Sequence, residues 1–316
     1  MTIQKNSKQL ITNGLRNVLT NISFDEMLNA KRFNPKKKTR VIAICLSKGG
    51  VGKTTSAANL AHGLARSGRK VLLIDTDRQA QTRLILGCQP LLGTYDFTHP
   101  EKDKRHSFED CVHIDKERPL LHFLSGSESL DYWERKAELL AAEEELNPFI
   151  KYEHIRNAFS EIEDRYDYLI FDTPPGIGLI GHNVLFYATE LLIPTFLSRM
   201  SEDSVEKFLD KYSKISDQRK RLNLGTLYLK YFLPTFKTNT TVSKNKFEEL
   251  QEMCETIRET ANQREGLKKV RLMTPIPMNT KLNELPDFGQ TIFEHAPLSS
   301  GAQTYGMLVE EILKDE

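Results

Sequence analysis

The chain has 316 residues, of which 39% are hydrophobic and 28% charged, and its formal net charge at pH 7 is +1. This length allows a sizeable core in one large or two smaller domains. The balanced charge excludes a protein that is basic overall, so any nucleic-acid binding must come from a local patch. No apolar run reaches the ~18 residues of a membrane helix and no signal-peptide pattern opens the chain, so we expect a cytoplasmic protein.

Residues 1–39 differ in pattern from the rest and predict a helical, basic extension. Apolar side chains recur at helical spacing between Leu10 and Ile22, and residues 23–26 form a capping box for a second short helix. Six of the ten residues at 31–40 are basic. This run fits either a solvated linker or an arm that contacts phosphates, and the sequence leaves both interpretations open.

Residues 40–55 predict a phosphate-binding loop. An apolar run at 41–46 leads into the sequence SKGGVGKTT at 47–55, and a helical segment follows. Glycines let backbone N–H groups converge on an anion, and the helix N-terminus adds its partial positive charge. We expect Lys53 to reach the β- and γ-phosphates and Thr54 to bind Mg²⁺. The other expected nucleotide contacts are Lys48, Gly49, Gly50, Val51, Gly52 and Thr55. The usual motif has a glycine where this chain has Ser47, and Lys48 is a second lysine inside the loop.

Two further apolar strands end in carboxylates. Residues 71–74 run into Asp75 and Asp77, and residues 168–171 run into Asp172, which a stiff Pro-Pro-Gly turn follows. Carboxyl ends of parallel strands are where doubly wound folds place their chemistry, so we expect these acids beside the loop. Asp172, the one carboxylate at the end of its apolar strand, is therefore predicted to order the Mg²⁺ shell.

The alternation of strands and helices over 40–316 predicts one α/β domain with a mostly parallel, doubly wound sheet. Residues 93–104 are predicted to be a loop, and Trp133 is expected to pack rather than to bind. Further strands are predicted at 120–124, 191–194, 227–233 and 270–273, and helices at 54–66, 130–146, 155–166, 202–215, 244–260 and 304–313.

These motifs together resemble the deviant Walker-A ATPases, the ParA/MinD family of P-loop proteins. The resemblance rests on the loop with its extra Lys48, on the segment from Asp75 to Gln79, and on Asp172-Thr-Pro-Pro-Gly. Residues 276–289 and 299–305 are similar to the ParA/Soj branch in particular. The resemblance covers roughly residues 40–314 and leaves 1–39 outside.

The resemblance implies an ATP-bound homodimer in which Lys48 reaches the nucleotide of the other subunit, so that hydrolysis depends on dimerisation. Lys48, Lys53 and Asp77 would be the catalytic residues, with Asp77 orienting the attacking water. By the same resemblance Asp75 and Asp172 would hold the Mg²⁺ through water, and Pro277 would pack near the adenine. Hydrolysis would be slow and stimulated by a ParB-like or other adaptor protein. Arg78 stands where a proline is usual.

The same resemblance implies nonspecific DNA binding by the ATP-bound dimer, association with the nucleoid, and partition of a plasmid or chromosome. Lys281 matches a basic position used for DNA. In the loop at 236–242 the expected arginine is replaced by Asn239, with Lys237, Lys244 and Lys246 nearby. These lysines also fit an ordinary solvated surface.

Other classes of function make different demands on the sequence. A membrane-surface ATPase of the MinD type would end in a basic amphipathic helix, whereas residues 310–316 are mostly acidic, so no membrane partner is expected. An iron–sulfur carrier of this fold needs clustered cysteines. The four cysteines of this chain are far apart in sequence, and we expect them to be free thiols in a reducing cytosol: Cys45, Cys88, Cys111 and Cys254. A nucleoid-bound ATPase that positions a protein cargo, and an ATP-binding regulator without hydrolysis, stay open.

Overall fold

The computed structural model describes residues 38–46, 48–143, 150–197, 202–261 and 264–316. The extension predicted for residues 1–39 lies outside these ranges except for its last two residues. The strands described are β1 (Arg40–Ile44), β2 (Val71–Asp75), β3 (His113–Ile114), β4 (Leu121–Leu124), β5 (Tyr168–Asp172), β6 (Glu190–Phe196), β7 (Tyr228–Thr235) and β8 (Arg271–Leu272). The α-helices described are α1 (Lys53–Arg66), α2 (Thr82–Leu86), α3 (Thr94–Phe97), α4 (Phe108–Cys111), α5 (Leu130–Glu143), α6 (His154–Phe159), α7 (Leu179–Tyr187), α8 (Glu202–Arg221), α9 (Thr241–Thr260), α10 (Thr280–Phe288), α11 (Ile292–His295) and α12 (Ser300–Leu313).

The strands form one sheet in the order β3-β4-β2-β5-β1-β6-β7-β8. Every neighbouring pair is parallel except β3 and β4, which are antiparallel. β1, β2 and β5 are buried at every position, as expected for parallel strands that helices cover on both faces. The predicted α/β fold with a mostly parallel, doubly wound sheet is confirmed.

Two apolar clusters, one on each face of the sheet, form the core. Alternate residues of β2 divide between them: Leu72 and Ile74 belong to one cluster, and Val71 and Leu73 to the other. This is the period-2 alternation of a strand. The first cluster includes side chains from α5, α6 and α7, and the second includes side chains from α1 and α12. In α5, Trp133 is fully buried, as expected of a packing residue.

The amino ends of the central strands carry a buried ion-pair network. The Arg40 guanidinium donates to both carboxylate oxygens of Glu190, at 2.8 and 2.6 Å. Lys230 Nζ lies 3.2 Å from a carboxylate oxygen of Glu190 and 3.2 Å from one of Asp315. The hydroxyl of Tyr231 donates to Asp315 at 2.6 Å. The residues that follow α12 are thereby tied to the amino edge of the sheet.

Several predicted elements differ from the structure. The helix predicted at 155–166 is wrong in extent, because α6 ends at Phe159 and a turn with a short 3₁₀ helix follows. There the hydroxyl of Thr39 donates to the carbonyls of Glu163 and Tyr166, both at 2.8 Å, and so binds this turn to the start of β1. The loop predicted at 93–104 contains α3 and a 3₁₀ turn.

The remaining differences are elements that were not predicted and helix ends that lie elsewhere. The helices α2, α4, α7, α10 and α11 and the short strand β3 were not predicted. α8 extends beyond its predicted end at 215, and α12 begins four residues earlier than predicted because the Ser299 hydroxyl caps it by accepting from the N–H of Ala302. Residues 144–146 of the helix predicted at 130–146 lie outside the described residues. Among the helices described, none combines the length and the apolar character needed to cross a bilayer.

Candidate functional site

The glycine-rich loop joins β1 to α1 and leaves an open cradle at the N-terminus of that helix. Gly50 has φ +69° and Gly52 has φ +85°, a left-handed conformation that side chains other than glycine rarely adopt. Gly49 and Gly50 are exposed, and a Cβ added to either would meet nothing within 4 Å. The loop therefore has open space beside its glycines at the N-terminus of a 14-residue helix, the position where helices favour bound anions. Ser47 lies outside the described residues.

Lys53, the first residue of α1, contacts the backbone of the loop with its side chain. Its ammonium donates to the carbonyl of Lys48 at 3.2 Å, and the residue is only 7% exposed. Burial lowers the pKa of the Lys53 ammonium, while the nearby charges of Asp172 and Asp77 oppose that shift. A buried cation at the start of the helix thus sits between the loop and the acidic strand ends.

The two strand-end aspartates lie side by side. β2 and β5 pair in register with Asp75 opposite Asp172, and the two residues are 0% and 1% exposed. One Asp75 oxygen accepts from the N–H of Asp77 at 2.9 Å, and the other from the N–H of Thr82 at 3.3 Å. The Thr82 hydroxyl donates to Asp172 Oδ2 at 3.1 Å, whereas Asp172 Oδ1 has no hydrogen-bond partner among the described residues.

Burial is the main cause that raises the pKa of both carboxyls, and a neighbouring carboxylate adds to each shift: Asp172 for Asp75, and Asp77 for Asp172. The pKa of Asp75 lies well above its ordinary value because the group is buried and faces the charge of Asp172. Burial raises the pKa of Asp172 to about 6, although the Thr54 hydroxyl and the Lys53 ammonium favour its charged form. Two buried carboxylates, one with an orphaned oxygen, are a donor set that a hard cation such as Mg²⁺ would complete. The residues present therefore fit the metal that the sequence predicts.

Asp77 follows β2 in a tight turn beside this pair. It is half-buried, and its Oδ1 accepts from the N–H of Gln79 at 3.0 Å. A Cβ on Gly126 would lie 2.2 Å from the carbonyl oxygen of Asp77, so this glycine permits the close approach of the two backbones. Ala80, which ends the turn, has φ +49°, a conformation uncommon for a residue other than glycine.

The end of β7 links the phosphate loop to the segment that contains Pro277. The Thr235 hydroxyl donates to the carbonyl of Val51 at 3.0 Å, and a Cβ on Gly52 would lie 3.7 Å from the ring of Phe236. Next along the chain, Lys237 forms a parallel bridge with Pro277. The structure thus brings Pro277 to the edge of the sheet that carries the loop and the aspartates.

The four lysines predicted to bind DNA lie on elements that follow this edge. The Lys237 ammonium is 4.3 Å from the ring centre of Phe247 in α9, a cation–π contact. Lys244 is exposed in the first turn of α9. Lys246 pairs with Glu249, and Lys281 at the start of α10 pairs with Glu284 at 2.9 Å. The bridge from Lys237 to Pro277 connects the first of these lysines to the chain that leads into α10.

Sequence reasoning missed three residues that shape the site. Thr82 donates to both buried aspartates, and Gly126 leaves room for Asp77. Phe236, which itself has φ +55°, packs against Gly52. The only signal for Gly126 was its place in a Ser-Gly-Ser turn after β4. Nothing in the local pattern around Thr82 or Phe236 marks either residue.

Known proteins are similar to this chain over most of its length. The AAA domain family matches residues 39–224. The chromosome-partitioning ATPase Soj of Thermus thermophilus is 30% identical over 278 residues, which is 88% of this chain and 97% of Soj. The chain belongs to the ParA/Soj family of P-loop ATPases. The sporulation initiation inhibitor protein Soj of Bacillus subtilis is 28% identical over 278 residues, 86% of this chain and 98% of that protein.

Solved structures agree on the fold. Cobyrinic acid a,c-diamide synthase from Mycobacterium smegmatis, solved with an ATP analog and magnesium, superposes with a TM-score of 0.65 at 23% identity. The match covers 87% of this chain and 95% of that one. At 23% identity the likeness shows the fold alone. The predicted family is confirmed, and the roles of individual residues stay predictions.

Proposed function

We propose that this protein is a dimerising ATPase that binds DNA nonspecifically in its ATP-bound state and positions a plasmid or chromosome. Hydrolysis of ATP to ADP and phosphate, stimulated by a ParB-like or other adaptor protein, would release the DNA. The observation that carries the proposal is the orphaned oxygen of Asp172, buried beside Lys53 and Thr54 at the mouth of an open phosphate loop. The Soj relatives named for chromosome partitioning support the choice of cargo.

The residues of the site divide into those that bind the nucleotide and those that act on it. The loop N–H groups from Gly49 to Thr55 and the Lys53 ammonium would bind the phosphates. Mg²⁺ would be held by Thr54 directly and by Asp75 and Asp172 through water. When bound, Mg²⁺ neutralises charge on the phosphate oxygens. The ATP analog and magnesium in the M. smegmatis structure support this pair of ligands on the same fold.

Asp77 and Lys48 would supply the hydrolytic step. Asp77 stands in the turn after β2 with its charge close to Lys53, where it would orient the attacking water. Lys48 would reach into the nucleotide site of a second copy and place positive charge where the transferring phosphoryl gains negative charge. The exposure of Gly49 and Gly50 leaves the loop accessible to such a copy. Hydrolysis would then require the dimer.

The DNA surface would be formed by Lys237, Lys244, Lys246 and Lys281, and the protein would be cytoplasmic and nucleoid-associated. A protein cargo carried on the nucleoid would use the same surface. Binding to a membrane through the last described helix is not favoured, because its apolar residues Leu308, Val309 and Ile312 are buried in the core.

Retention of nonspecific DNA in the presence of ADP, ATP and a slowly hydrolysed ATP analogue tests the proposal. We expect retention with ATP and the analogue, little with ADP, and a steep loss as salt rises. Lys281→Ala should weaken retention by about threefold or more, because one phosphate contact is lost.

The matched control is Lys268→Ala, which should leave retention unchanged. Lys268 also pairs with a glutamate three residues away, and its side chain is similarly exposed, at 51% against 49% for Lys281. It lies before β8, at the amino ends of the strands, whereas the four lysines follow the carboxyl ends. Equal retention with ADP and ATP would overturn the nucleotide-dependent switch.

A further inference from the structure

Helix α5 lies beside both turns that follow the acidic strand ends. The fully buried indole of Trp133 fixes it, with its Nε1–H donating to the carbonyl of Thr98 at 2.8 Å. Asp131 and Glu134 flank this anchor and are three residues apart, so they occupy neighbouring positions on the helix surface. A rigid helix therefore presents two acidic side chains toward the segments that carry Asp77 and Asp172.

Asp131 contacts the first of these segments. Its Oδ2 accepts from the Arg78 guanidinium at 2.9 Å, which joins the turn after β2 to α5. Arg78 directly follows Asp77, so the ion pair restrains the residue next to the predicted water-orienting carboxylate. The turn itself contains the positive φ of Ala80, a conformation that persists only where surrounding contacts hold it.

Glu134 contacts the second segment. Its Oε1 accepts from the N–H of Ile180 at 2.8 Å, in the first turn of α7. The residue before α7 is Gly178, which has no side chain to cap the helix, so Glu134 supplies the cap from another element. A Cβ on Gly178 would lie 2.9 Å from that same oxygen. The cap therefore fixes the chain that follows Asp172 and the Pro-Pro-Gly turn.

A cleft of about 330 Å³ lies between these contacts. Its walls are the turn at 76–79, the segment from Pro174 to Ile180, and α5 with Asp131 and Glu134. The two turns that border the nucleotide site thus meet on one helix, across a space open to solvent. The distance between the two turns therefore depends on the two contacts that α5 makes, from Asp131 to Arg78 and from Glu134 to Ile180.

We propose that Asp131 and Glu134 are positioning residues for ATP hydrolysis. Asp131 holds the Asp77 turn through Arg78, and Glu134 holds the turn after Asp172 by capping α7. The inference rests on the proposed role of Asp77 in hydrolysis. It also gives Arg78 a structural role, because its ion pair with Asp131 restrains the turn from α5.

The test of the first contact compares wild type with Asp131→Ala, Asp131→Glu and the exchanged pair Arg78→Asp with Asp131→Arg. Asp131→Ala should lower kcat by about 2- to 5-fold, the range an exposed ion pair supports, with the KM for ATP within about twofold. The phosphate loop is untouched, which is why KM is spared. Asp131→Glu and the exchanged pair should recover most of the kcat that Asp131→Ala loses, so that both exceed Asp131→Ala measured in parallel.

A second readout uses the full chain without nucleotide. Hydrogen exchange at residues 76–80 should quicken in Asp131→Ala, and exchange at 179–182 should quicken in Glu134→Ala but not in Glu134→Gln, which keeps an acceptor oxygen. The matched control is Glu109→Ala, which breaks the exposed Arg165–Glu109 pair and should change neither readout.

Unchanged exchange at 76–80 in Asp131→Ala, or no recovery of kcat in the exchanged pair, would overturn the inference. The exchange result does not depend on catalysis. If Asp77→Ala kept full turnover, the proposed role of Asp77 would fail while the contacts from α5 could still be measured.

Discussion

Buried charged groups lie at both ends of the sheet, but they are paired with opposite charges at the amino end and only partly paired at the carboxyl end. At the amino end, Arg40 meets Glu190 through two hydrogen bonds, and Lys230 bridges Glu190 to Asp315. Burial alone would raise the pKa of Glu190, but the Arg40 hydrogen bond and charge hold it below the ordinary value. At the carboxyl end, two aspartates face each other, their pKa values are raised, and one oxygen has no partner in the described chain.

This difference indicates that the amino end of the sheet stabilises the fold, whereas the carboxyl end is built to bind a ligand. Charges at the amino end are satisfied within the chain, so that end needs no ligand and ties the C-terminal residues to the sheet. Charges at the carboxyl end are only partly compensated, because two buried carboxylates share the nearby Lys53 cation and Asp172 Oδ1 has no hydrogen-bond partner among the described residues, which costs stability unless a ligand completes them. A bound cation and a polyphosphate would supply the missing partners, and this is where the glycine-rich loop lies.

The largest expected effect is on catalysis at the carboxyl end. Lys48→Ala and Asp77→Ala should each lower the rate of ATP turnover by about 10²-fold or more, because each removes a group that acts on the transition state. Steady-state phosphate release, with DNA and the adaptor present, measures the change. Thermal unfolding serves as the control, since both residues are half-buried and neither belongs to the apolar core. Wild-type turnover in both variants would contradict the assignment.

The next effect is on stability at the amino end. Glu190→Ala should lower the free energy of unfolding by about 3–5 kcal/mol, because it leaves buried cationic groups without their carboxylate. Urea denaturation at neutral pH measures this loss. Glu109→Ala, which removes one member of an exposed pair, should leave the urea midpoint almost unchanged. Equal losses in the two variants would show that the network at the amino end is no stronger than a surface pair.

The smallest effect concerns pH. Because the pKa of Glu190 is lowered in the folded state, its contribution is present above its ordinary pKa of 4.5 and is lost as pH falls through the lowered value. The stability difference between wild type and Glu190→Gln should therefore shrink as pH falls from about 7 to about 3. Urea midpoints of the two proteins across this range provide the test. A difference that grows on acidification would mean that the carboxylate is not stabilised by its partners.

The carboxyl end was predictable because its signals are local in sequence. Asp75 and Asp172 each follow a continuous apolar strand, and parallel strands bring such ends together. The loop at 48–55 was recognisable from its glycines and lysines alone. These features required only the order of residue types along a short stretch.

Contacts between distant segments could not be predicted in the same way. Thr82 donates to Asp172 across 90 positions, and Arg78 reaches Asp131 across 53. Helix α6 ends at Phe159, and Thr39, 124 positions before Glu163, binds the turn that follows it. The apolar spacing at 155–166 continues through the buried Ile162 and Tyr166, so the local pattern did not mark the end of the helix. The sheet and its strand-end aspartates can therefore be predicted from the sequence, whereas the distant residues that position them cannot.

The most direct test of the account mixes two inactive variants. If Lys48 acts on the nucleotide of the other subunit, a mixed dimer of Lys48→Ala and Asp77→Ala contains one complete site, formed by the intact Asp77 of one subunit and the intact Lys48 of its partner. Random pairing in an equimolar mixture should restore about a quarter of wild-type turnover, since half of the dimers are mixed and each has one working site. No recovery above the separate variants, although they form mixed dimers, would contradict hydrolysis by a shared site.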